Sequence, residues 1–92
     1  MGVCLVWLGD AAQADVVVAS PGPWRRPIEA GSGLLVLETD ETISRVYHEL
    51  KWLLPDDCAL LVAPLESRPK ARGVTRGTVR WLRERLPLPD RE

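Results

Sequence analysis

At 92 residues, 46% hydrophobic and 27% charged, the chain is long enough for one small hydrophobic core and too short for a second domain. It holds no run near the ~18 apolar residues that span a bilayer, and its N-terminus lacks a basic flank followed by a long apolar core, so a cytoplasmic location is expected. The net charge of −1 conceals an asymmetry: through Ala63 four basic residues face nine acids, a net of −5, whereas from Pro64 onward eight face four, a net of +4.

Val3 to Leu8 is a continuous apolar run bounded by Gly2 and by Gly9-Asp10, which predicts a central strand covered on both faces. Asp10 to Ser20 has two readings: a short helix capped by Asp10, or a strand on the β-branched triplet Val16-Val17-Val18. A helix is favoured, because a connection is needed before the turn at Ser20-Pro21-Gly22-Pro23. Trp24 to Ala30 then alternates with a period of two, and Pro27, which cannot donate to a central ladder, places that strand at an edge. Gly31-Ser32-Gly33 reads as the turn of a hairpin into the apolar run Leu34 to Leu37.

From Glu41 to Leu54 the residues Ile43, Val46, Tyr47, Leu50, Leu53 and Leu54 recur at helical spacing, with Asp40 or Thr42 as cap and Pro55 as stop. Glu41, Arg45 and Glu49 follow one another at four-residue spacing on the charged face, and His48 lies away from the stripe as an exposed side chain. Cys58 to Val62 gives a last strand that Pro64 ends. Cys4 and Cys58 both fall inside apolar runs and read as buried thiols that a reducing cytosol keeps unpaired.

In order these elements give strand, helix, strand, strand, helix, strand, the pattern called ferredoxin-like: an α+β fold with an antiparallel sheet and helices on one face over residues 1–65. Residues 66–92 add a basic arm and a third helix to the same domain. That helix is expected from a Thr75 cap through Leu86, with Val79, Leu82 and Leu86 as its apolar stripe. With two helices on one face, the other sheet face needs a cover, and a second subunit or the third helix can supply it.

Two functional readings follow. The candidate binding residues are Arg68, Lys70, Arg72, Arg76, Arg80 and Arg83, because guanidinium and ammonium groups gathered over a short stretch suit phosphates or carboxylates. Trp81 adds a stacking candidate, although on an ideal helical wheel it points away from the arginines. The first reading is a small non-enzymatic protein-interaction module, homodimeric through its sheet, that engages an unknown protein partner. The alternative is a nucleic-acid-binding protein. No catalytic or metal-binding motif and no cofactor signature is present, so neither reading assigns a catalytic residue, a metal or a cofactor. Asp10 falls at the end of the first strand, where a dimer could bring two carboxylates together on a divalent metal. That placement and the element order over residues 3–65 are similar at fold level to the Cas2-type and related endoribonuclease-like proteins, whose strand-end aspartate is the proposed metal ligand. The resemblance implies a metal-dependent nuclease using Asp10; the competing role of Asp10 is a helix cap.

Overall fold

The computed structural model describes residues 2–90. It is a small α+β domain with a four-stranded antiparallel sheet in the order β2-β3-β1-β4. The strands are β1 (Gly2–Leu8), β2 (Arg25–Gly31), β3 (Leu34–Thr39) and β4 (Leu60–Leu65). The helices are α1 (Ala14–Ala19), entered through a 3₁₀ turn at Ala11–Gln13, α2 (Ile43–Leu53) and α3 (Thr78–Arg85). The connection from β1 to β2 passes over β3, and that from β3 to β4 passes over β1, so each βαβ unit is split by an antiparallel strand. Among the described residues no helix is long and apolar enough to cross a membrane.

The apolar run of β1 is covered along one face from Cys4 to Leu8 and along the other only as far as Leu5, Trp7 being exposed. Cys4, Val6 and Leu8, with Leu35 and Leu37 of β3, point toward α1 and α2, where they meet Val17, Val46, Leu50 and Leu54. Val3 and, in part, Leu5 point the other way, to Trp81, Leu82 and Leu86 at α3. The third helix therefore covers the second face around Val3 and Val36, whereas Trp7 and Leu61 on that face stay 44% and 52% exposed, so the argument for a homodimer through an open sheet face is narrowed to that end. Trp24 does not begin a half-exposed strand: it is buried, and its indole lies against Gly22, where a Cβ would sit 2.6 Å from the ring.

The helix α2 follows the sequence expectation at its centre. Thr42, rather than Asp40, is the cap: its side chain accepts from the Arg45 amide at 3.1 Å. Val46 and Leu50 are fully buried, Arg45 pairs with Glu49 at 3.3 Å, and His48 is exposed. Tyr47, expected in the stripe, is instead part of the exposed surface. The β2–β3 turn requires Gly33 at φ +73°, since its amide plane is held by the bond from Leu8 N to Gly33 O (2.7 Å) and a Cβ would stand 2.5 Å from the Leu8 carbonyl.

Three local expectations are corrected. Pro64 does not end β4, which runs through to Leu65. Gly9 donates to Ala59 O, which marks 9/59 as a hydrogen-bonded pair; along the ladder 7/61, 5/63 and 3/65 are then bonded and Pro64 faces away from β1, where its missing N–H is harmless. The third helix starts at Thr78, because Gly77 holds φ 90° and interrupts the helical path after Thr75. Thr75 instead ties the chain to the β2 edge, donating from its amide to Ala30 O (2.8 Å) and from its hydroxyl to Glu29 O. Lastly, Cys4 is buried but Cys58 is half-exposed.

Candidate partner-binding surface

The arm after β4 crosses the sheet from the β4 side toward β2, and α3 returns over it. Two polar links fix this layer. Arg85 forms an ion pair with Glu38 of β3, the two side chains being 14% and 8% exposed, and its guanidinium lies 4.1 Å above the Trp81 ring while donating to the Trp81 carbonyl at 2.9 Å. Arg68 donates from Nε to the Leu86 carbonyl (2.7 Å) and from Nη2 to the Arg83 carbonyl (3.3 Å). Those carbonyls lie at the C-terminal end of α3, where a cation satisfies orphan acceptors and meets the negative end of the helix dipole.

Seen from these links, the six predicted residues divide. Arg68 is half-buried and clamps α3, so its main work is structural rather than ligand capture. Arg76 lies in the turn before α3, so it does not share the helical spacing expected with Arg80 and Arg83. Arg80 and Arg83 are exposed on the helix side away from the sheet, Arg80 standing 3.6 Å from Glu84. Lys70 and Arg72 are exposed on the arm. Arg72, Arg76 and Arg83 have no ion-pair partner among the described residues.

The structure brings Arg68, Lys70 and Arg83 around one groove of about 260 Å³ between the arm and α3. Its apolar floor is Val79, Leu82 and Leu88, and Pro69 and Ala71 form the arm wall. Val79 and Leu88 are exposed in the free domain, contrary to the expected place of Val79 in the buried stripe. The stripe that does face the sheet is Thr78, Trp81, Leu82 and Leu86, rotated toward Trp81. Trp81 is thus a core residue and unavailable for base stacking.

Sequence reasoning missed Arg85. Its signal was its position four residues after Trp81, which puts both on one helix face once Trp81 is recognised as buried. Asp10 caps the 3₁₀ turn, accepting from the Ala12 amide at 3.1 Å, and is exposed. His48 has the Tyr47 ring edge-on at 5.4 Å and the Trp52 ring at 6.2 Å. Among the described residues no three His, Cys, Asp or Glu side chains come together. Comparison with known proteins adds no relative: no family model, no curated protein and no solved structure matches the chain.

Proposed function

We propose that this domain is a small non-enzymatic protein-interaction module, and that the arm–α3 groove takes an acidic protein segment anchored by apolar side chains. The observation that carries this reading is the composition of the groove: an exposed apolar floor of Val79 and Leu88 beneath the cationic rim of Lys70 and Arg83. An apolar floor rewards burial of a side chain, and a cationic rim selects an acidic one and speeds encounter. The element order and the strand order, with every neighbouring pair antiparallel, support a ferredoxin-like assignment for the scaffold. Two free thiols support a cytoplasmic location.

The test is a titration of the isotope-labelled domain with a synthetic amphipathic Glu/Leu peptide, an all-Glu peptide of equal charge and a single-stranded oligonucleotide. The amphipathic peptide is expected to shift Val79, Leu82 and Leu88 resonances, and K70E/R83E to weaken it at least tenfold. Equal binding of the all-Glu peptide would refute the apolar half of the reading.

The nucleic-acid alternative rests on Arg72, Arg76 and Arg83, cations without an acidic partner among the described residues. Against it, the exposed aromatics Tyr47 and Trp52 sit on α2, on the other side of the sheet, which leaves Trp7 as the one exposed aromatic among the described residues on the face that carries these cations. Nucleic-acid binding would show log K falling with log salt by about 0.7 per phosphate contact on single strands and about 0.9 on B-DNA, flattened by about two to three units in the variant with Arg76, Arg80 and Arg83 all changed to Gln.

A further inference from the structure

The two edges of the sheet are treated differently. The β2 edge is guarded by Pro27, by a bulge at Arg26 (φ 50°), by the charges of Arg25 and Glu29, and by Thr75 bonded to the Glu29 and Ala30 carbonyls. The β4 edge, Leu-Leu-Val-Ala-Pro-Leu, carries no charge, and Pro64 is its only interruption. The bonded pairs 7/61, 5/63 and 3/65 use the inward groups of β4, so the N–H and C=O of Leu60 and of Val62 point outward. No group among the described residues bonds to them.

We propose that this edge pairs antiparallel with the same edge of a second copy, about a two-fold axis through Leu61. The occupant follows from self-complementarity. In this register Leu60 opposes Val62 of the other copy and Val62 opposes its Leu60, and both outward groups of both residues are satisfied in each copy. The ladder stops by itself at either end, since Pro64 has no N–H and the Cys58 amide is spent on Pro55 O at 3.0 Å. Centring the axis on Val62 instead would set each Leu60 carbonyl against a proline nitrogen and leave it unpaired.

Side chains favour the same register. Leu61 is 52% exposed, and at the axis it would meet its symmetry mate as a non-hydrogen-bonded pair, the closest side-chain approach an antiparallel ladder offers. Trp7, 44% exposed, neighbours Leu61 on the same face and extends the apolar row on both sides of the axis. The two sheets of four strands join into one continuous sheet, and the arm–α3 groove stays free.

Light scattering of the purified chain at high micromolar concentration is expected to give twice the 10.2 kDa chain mass, falling to the monomer value on dilution. V62P removes an outward N–H that takes no part in the β1–β4 ladder, and L61K places like charges at the axis; each is expected to give a monomer with an unchanged circular dichroism spectrum. In a C58S background, L61C is expected to crosslink under mild oxidation and A63C, which faces residue 59 of the other copy, is not. A monomeric wild type, a dimer that survives both V62P and L61K, or equal crosslinking of A63C would each overturn the proposal. Peptide binding in the groove is read separately, so either inference can fail without the other.

Discussion

The buried pair Glu38–Arg85 offers the sharpest test of how the second sheet face is held. Changing Arg85 to Met takes the guanidinium off the Trp81 ring and leaves the Glu38 carboxylate, 8% exposed, without its main partner. Removing one member of a buried pair costs about 3–5 kcal/mol, and the lower end applies here because Arg25 Nε remains 3.9 Å from Glu38. The converse change, E38L, should cost less, about 1–2 kcal/mol, because the Arg85 guanidinium keeps the Trp81 carbonyl at 2.9 Å and Glu84 at 3.7 Å. The double variant E38L/R85M buries no charge, and its loss should be well below the sum of the two, about 1 kcal/mol or less. At about 4–8 °C per kcal/mol for a domain of this size, R85M lowers Tm by about 12–24 °C. Urea and thermal unfolding of the four proteins close the cycle. Singles within experimental error of wild type, or a double variant that loses their full sum, would refute the reasoning.

Further expectations are simpler. Leu50 is fully buried between α2 and the sheet, so L50A should cost about 2–5 kcal/mol, while H48A on the exposed face should leave the melting curve in place. Burial pushes the Cys4 thiol up from its ordinary value, so an aqueous thiol reagent should label Cys58 in the native protein and reach Cys4 only on unfolding. The side-chain hydrogen bond from Arg25 Nη1 at 2.8 Å, reinforced by its charge, holds Asp40 below the usual carboxylate range. The pair's contribution is therefore complete above the ordinary Asp pKa of about 3.9 and is lost as pH falls through the lower folded value. A carboxyl-detected NMR titration should show Asp40 moving upward in R25Q.

The parts of the fold legible in the sequence are those set by one-dimensional period. In α2 the alternation of a buried and a solvated side is imposed by the helix itself, so Val46 and Leu50 declare themselves, while the cap stayed open between Asp40 and Thr42. In β1 the unbroken apolar run announced two covered faces, of which the second is left open at Trp7. The sequence could not say what the second cover was, because docking of α3 depends on Glu38 meeting Arg85, partners 47 positions apart. The candidate binding residues divide for the same reason. Charge density picked out Lys70 and Arg83 at the groove, but Arg68 carries the same charge and spends it on helix carbonyls, a role set by where α3 ends. Pro64 misled because the rule that proline stops a strand holds for inward-facing amides, and this one faces out.

With no phenylalanine and four tryptophans, the chain has placed one indole in each of four surroundings. Trp24 is enclosed on the α1–α2 side, Trp81 on the α3 side beneath Arg85, Trp7 stands on the sheet near the β4 edge, and Trp52, 74% exposed, rides on the outside of α2. The molecule therefore carries its own spectroscopic addresses. A variant that keeps only Trp81 would emit according to whether α3 is seated, one that keeps only Trp24 according to whether the other layer is intact. A Trp81 transition ahead of the Trp24 transition would time the lifting of the C-terminal cover against the melting of the sheet itself.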